Sequence, residues 1–254
     1  MPKDRDSRRQ FIRGGMAAFA AVPLGAAGTY SIKAGAGWRR LSTAGSLISG
    51  YLHNHAVAKL QIGAGGAKGF DDWLNTDIDP APGEAYLDVT KPFPIPDKSL
   101  SYIFAEQLFE HLSYRDGLSM LRECHRTLKP GGKIRLATPN LLKYIQLFRD
   151  AKDDEMREYL KAKTAMDYYP EPLPQTISPE CVVLNYEMRS WGHQFVYDPP
   201  TFRESLERAG FQSIQEFAPG ESDDPALQGL EIRHKAALHR MNDYETMVFQ
   251  AVRP

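Results

Sequence analysis

Apolar and polar positions along the chain follow two alternating rhythms. Short runs with an apolar bias recur at 57–62 (VAKLQI), 73–79 (WLNTDID), 84–89 (EAYLDV), 100–105 (LSYIFA), 133–138 (KIRLAT), 212–217 (QSIQEF) and 244–252 (YETMVFQAV). Bounded by Gly, Pro and acidic residues, they predict seven strands. Between them apolar positions step by three or four. Leu118, Leu121 and Leu128 share a helical face; Ser113 and Asp116 open that helix as a capping-box-like pair, and Lys129-Pro130-Gly131-Gly132 stops it. Leu141, Tyr144, Ile145 and Phe148 line one side of another helix. A third is DPPTFRESLERAGF, with prolines at its start, Phe202 and Leu206 on a face and Gly210 as its stop. Strands alternating with helices predict an α/β three-layer sandwich around a mostly parallel sheet. In such sheets ligands bind beyond the carboxyl ends of the strands, where strand order reverses.

Two stretches lack a clean period. Residues 29–56 are small and polar and read as a linker with a short helix, so the folded domain is expected over 57–254. From about 150 to 197 a charged helix gives way to the proline-dotted YYPEPLPQTISPE, expected to form an irregular cover over the substrate. Ahead of both lies SRRQFIRGGMAAFAAVPLGAAG, residues 7–28. Its arginines and mildly apolar run match a twin-arginine export signal; the alternative is a disordered leader over 1–28. The apolar run is too short to span a bilayer comfortably.

Composition narrows the partners. With 31 basic and 32 acidic side chains, the net charge of −1 argues against a nucleic-acid partner. Cys124 and Cys181 form no CxxC pair and no disulfide framework. His53 and His55 have no further ligands nearby, and no metal is assigned. No GxSxG elbow is present, which disfavours an exported α/β hydrolase.

The chemistry-bearing pattern is LQIGAGGAKGF, which places Gly63, Gly65 and Gly66 directly after the first strand. Glycine lets backbone approach a ligand closely and adopt positive φ. The dinucleotide fingerprint is not met: Lys68 stands where its third glycine belongs, and Asp77 follows Gly65 by 12 residues rather than about 20. LQIGAGG, NTDID, LDVTKPFPIPDKSLSYIFAEQLFEHL and MLRECHRTLKPGGKIRLATPN, in that order, resemble the successive motifs of class I S-adenosylmethionine-dependent methyltransferases, in particular the type 11-like bacterial group. The resemblance spans roughly Leu60 to Asn140, and YETMVFQAV is similar to the family's final antiparallel strand. It implies a Rossmann-like, seven-stranded, mostly parallel sheet and S-adenosylmethionine as cofactor. It also implies roles. Gly63 and Gly65 pass under the methionyl part, Asp77 accepts from the ribose hydroxyls, and Asp88 with the Val89 backbone meets the adenine amino group. Ile78 lies against the adenine ring, and Glu106 and Gln107 contact the methionine moiety or the acceptor. The chain departs from the family at Gln61, where an acid is usual, and at Ala67, where a third glycine is usual. An amide at 61 can still bond the cofactor's amino group.

Transfer of a methyl from a sulfonium needs alignment more than a protein nucleophile. A hydroxyl acceptor would be helped by a base, for which His111 (FEHLSY) and His193 (SWGHQF) are the catalytic candidates. The expected activity is methyl transfer to a small-molecule or saccharide-like acceptor; a non-catalytic, exported binding module of the same fold is the alternative. The cofactor points to the cytoplasm and the leader to a membrane-associated or periplasmic location. Oligomeric state has no signal in the sequence.

Overall fold

The computed structural model describes residues 34–65, 69–149, 153–166, 177–231 and 243–254. The expected leader at 1–28 lies outside the described residues. In chain order the elements are α1 (Ala34–Asn54), β1 (Lys59–Ile62), β2 (Leu74–Asp77), β3 (Ala85–Tyr86), β4 (Leu100–Glu106), a single 3-10 turn (Phe109–His111), α2 (Tyr114–Thr127) and β5 (Leu128–Pro139). They continue as α3 (Leu141–Arg149), α4 (Asp154–Met166), α5 (Pro179–Arg189), α6 (Pro199–Arg208), β6 (Gln212–Phe217) and β7 (Thr246–Val252).

All seven strands join one sheet in the order β3-β2-β1-β4-β5-β7-β6. β1 to β5 pair in parallel, while β7 runs antiparallel to both β5 and β6. This is the Rossmann-like, mostly parallel arrangement with an antiparallel C-terminal strand that the rhythm and the resemblance implied. Strand order reverses between β1 and β4, so their carboxyl ends frame the crevice where such sheets hold ligands.

One face of the sheet carries the main core: Leu60, Ile62 and Ile103 from the strands meet Ala44 and Ile48 of α1, Met120, Leu121 and Cys124 of α2, and Phe202 and Leu206 of α6. On the other face Trp73 and Phe104 are covered by Leu227 and Leu230 from the segment after β6. Arg135, fully buried in β5, donates to both carboxylate oxygens of Glu231 at 2.5 and 2.7 Å and to Gln250 Oε1 at 2.7 Å, tying that segment to the sheet. The local signals hold where they were clear. Ser113 Oγ accepts from the Asp116 amide at 3.1 Å and donates to its carboxylate at 2.8 Å. Asp198 Oδ1 accepts from the Thr201 amide at 2.8 Å and caps α6.

Three stretches differ from expectation. α1 is a 21-residue helix rather than a short one. Its inward side is carried by Ala44, Ile48, Tyr51 and Leu52, and small residues around these dilute the period. β5 begins at Leu128, because Gly131 N–H donates to Arg253 O and Arg253 N–H to Gly132 O, drawing the Pro-Gly-Gly stop into the sheet. A register shift between Leu100 and Tyr102 absorbs the extra length. Finally, much of 150–197 is helical: α4 and α5 form, with α3, a second core of Tyr144, Leu147, Tyr159, Leu160 and Val183. At its centre Lys163 Nζ lies 2.7 Å from Glu187 and 2.8 Å from Glu245. A core organised around charges leaves little hydrophobic periodicity to read.

Candidate active site

The first strand delivers the glycine bend to the crevice. Gly63 (φ +74°) and Gly65 (φ +67°) adopt left-handed backbone. A Cβ on Gly63 would stand 3.0 Å from Leu108 Cδ1, so the loop leaving β4 presses directly on the bend. Ile62 is in register with Thr76 and with Ala105, which sets Gly63 between the tips of β2 and β4.

Asp77, at the tip of β2, is joined to that bend: its Oδ2 accepts from Gly65 N–H at 2.8 Å and its Oδ1 from Asp79 N–H at 2.8 Å. A carboxylate offers about four lone-pair sites, so acceptor capacity remains for two hydroxyls. Asp88 follows β3 on the neighbouring strand end, where its Oδ1 accepts from both the amide (3.0 Å) and the hydroxyl (2.7 Å) of Thr90. It lines an open groove with Ala44, Gly45, Tyr86 and Lys91, on the side of α1. Ile78 is 40% exposed at the crevice edge, whereas the Val89 side chain is buried in the main core. Glu106, which ends β4, is buried. Gln107 has φ +49° and turns its side chain toward β7, donating to Thr246 Oγ1 at 3.1 Å. Gln61 is 2% exposed, and its Oε1 has no hydrogen-bond partner among the described residues.

The two histidines, 82 positions apart in the chain (193 minus 111), meet. Their ring centroids are 4.8 Å apart, edge to face. The segment 193–195 is clamped to the 3-10 turn: Gln194 N–H and Phe195 N–H both donate to Glu110 O, at 2.8 and 3.2 Å, and Gln194 Nε2 donates to His111 O at 2.6 Å. Trp191 (φ +52°) and Gly192 (φ +80°) make the reversal that swings His193 back. Burial, with a smaller contribution from His193, pushes the His111 pKa down to about 4. Burial also lowers that of His193. Beside them sits Glu110, 0% exposed, whose Oε2 accepts from Thr138 Oγ1 at 2.9 Å. Burial pushes its carboxyl up to about 8, against its hydrogen bonds and with the help of Glu187 and Glu245.

Residues 79–136 match the methyltransferase domain family. The matched stretch begins just after β2 and ends within β5, so it includes β3 and β4 but not β1 or the glycine bend. Over that stretch the chain is similar to a methyltransferase domain. Among solved structures it is similar to a SAM-dependent methyltransferase from Archaeoglobus fulgidus, at 14% identity over 84% of this chain and 94% of that one, TM-score 0.43. A SAM-dependent methyltransferase from Mesorhizobium loti is similar at 17% identity over 78% and 91%, TM-score 0.43. A possible exported protein from Bordetella parapertussis is similar at 12% identity over 98% and 79%, TM-score 0.42. No curated protein matches the sequence.

The residues present fit the methyltransferase cofactor. A Cβ at Gly63 would crowd Leu108, Asp77 holds spare acceptor capacity beside the bend, and Gln61 Oε1 is a buried acceptor with no hydrogen-bond partner among the described residues. Glu110 escaped the sequence reading. A lone Glu inside the apolar run from Leu108 to Leu112 was the available signal, since an acid there is buried by its neighbours.

Proposed function

We propose that this chain is an S-adenosylmethionine-dependent methyltransferase of the class I type, acting on a small polar acceptor of hydroxyl-bearing, saccharide-like chemistry held at the corner formed by Glu110, His111 and His193. What supports this reading is the convergence of those three side chains on the β4 loop whose Leu108 abuts the glycine bend. When bound, S-adenosylmethionine supplies a methyl group already activated on its sulfonium, for in-line displacement by the acceptor. Gly63 and Gly65 would run beneath its methionyl part, with Gln61 Oε1 accepting from the ammonium group. Asp77 would take the ribose hydroxyls, Asp88 and the Val89 backbone the adenine edge, and Ile78 the ring face; Glu106 and Gln107 would close the methionyl end. His111 and His193 stay neutral at pH 7, because burial holds their pKa down, so each keeps a ring lone pair for an acceptor hydroxyl. At about 4 the His111 pKa makes a weak base, better suited to orienting the hydroxyl than to removing its proton.

Calorimetry with S-adenosylmethionine and its demethylated product tests the first half. Methyl transfer from labelled cofactor to a panel of sugars, polyols and amines tests the second. Binding followed by labelling of hydroxyl compounds is expected. Affinity for neither compound would sink the cofactor site, and transfer confined to amines would overturn the acceptor class.

The same reading places the work in the cytoplasm, where the cofactor is made. No described helix is long and apolar enough to cross a membrane. Fusing residues 1–40 to a reporter exported only when folded decides the location: activity in the periplasm, lost when Arg8 and Arg9 become lysines, would reverse it.

A further inference from the structure

Glu110, His111 and His193 do more than converge. Each offers a ligating atom, and the three atoms all lie within 4.8 Å of one another. Both imidazoles are already oriented by backbone. His193 Nδ1 sits 2.5 Å from Glu187 O, so that nitrogen carries the proton and Nε2 keeps the lone pair. The Trp191 backbone hydrogen-bonds the His111 ring, while His111 Nδ1 is buried with no hydrogen-bond partner among the described residues. One ring nitrogen on a carbonyl and the other aimed inward is how metal-ligating histidines are held. Glu110 completes the pattern: Thr138 fixes Oε2, and the buried Oε1 has no hydrogen-bond partner among the described residues. An acceptor left empty in a fully buried carboxyl is costly unless a donor or cation meets it.

We infer that this corner binds a single first-row divalent cation of the zinc and iron(II) class, through His111 Nδ1, His193 Nε2 and one oxygen of Glu110. Two imidazoles and a carboxylate suit those ions; calcium and magnesium take oxygen ligands. Metal–ligand bonds of about 2.0–2.1 Å in a tetrahedral site place two ligand atoms about 3.4 Å apart. The most separated pair therefore closes by up to about 1.4 Å on binding, through rotation of the side chains. The clamp between 193–195 and the 3-10 turn holds both walls in place for that closure. Three protein ligands leave a position open, as catalytic rather than structural sites do. The ion would take the two ring lone pairs otherwise offered to an acceptor hydroxyl, so with the ion bound an acceptor meets its open position instead; the inference concerns the ion and stands whatever acceptor is methylated.

The test uses the full chain, stripped with chelator, dialysed and titrated with cobalt(II) alone and then zinc(II) alone. One equivalent of cobalt should bind, with the visible d–d bands of a four- or five-coordinate ion, and zinc should displace it. His193→Ala and Glu110→Gln should each weaken binding by more than ~10-fold at unchanged circular dichroism. If Glu110→Gln does not fold, His193→Gln at the half-buried position replaces it. No stoichiometric binding by the wild type, or binding that survives these variants, overturns the site. Cofactor affinity measured on the same samples succeeds or fails separately.

Discussion

Asp77 carries the clearest residue-level consequence. It holds the bend through Gly65 and faces the crevice with lone pairs to spare. Replacing it with Ala removes charged acceptors worth about 1.5–3 kcal/mol each. Calorimetry should therefore show S-adenosylmethionine binding weakened by ~10-fold or more, with Asp77→Asn between the two. Gly63→Ala combines left-handed strain of about 1–2 kcal/mol with the clash on Leu108; lower thermal stability together with lost cofactor binding is the expected outcome. The thiols behave oppositely. Cys124 is fully buried, and burial pushes its thiol up, whereas Cys181 is exposed. Alkylation of the native protein, read by mass spectrometry, should label one cysteine, and denaturant should release the second.

At the scale of elements, α2 shows what was legible in the sequence. Its cap and its Leu121 stripe specify start and face without help from the rest of the chain, and Ser113→Ala should cost about 1 kcal/mol in denaturant unfolding. Its outward side holds Glu123 bonded to Arg126, chiefly through hydrogen bonds that keep the carboxyl below its ordinary range. A lowered folded-state pKa stabilises at neutral pH and ceases to as pH falls through the carboxylate range. The stability gap between wild type and Glu123→Gln should accordingly narrow on acidification, as chemical denaturation at a series of pH values would show. The parallel strands and the glycine bend were equally readable, since burial on both faces writes itself as short apolar runs. α4, α5 and the start of β5 were not. Lys163 and its two acids occupy core positions that a hydrophobic pattern scores as surface, and Gly131 and Gly132 pair with Arg253, more than a hundred residues away. The pairing of His111 with His193 was hidden for the same reason: each was visible as a candidate, but a shared corner built by long-range folding leaves no spacing to detect.

For the whole molecule, two cores imply two thresholds of unfolding. The sheet with α1, α2 and α6 rests on apolar burial, while α3 to α5 rest partly on a buried lysine between carboxylates. Removing one partner of such a network costs about 3–5 kcal/mol. Lys163→Met should release the α4–α5 layer while the sheet persists, seen as amide exchange rising across 154–189 with β4 and β5 still protected. The clamp at Glu110 also bears on how the two histidines are held. Two amides of one strip share a single carbonyl of the other, which ties together the two strips that carry the histidines. Pulling either strip away would cost both hydrogen bonds at once, so the two imidazoles keep their register against each other.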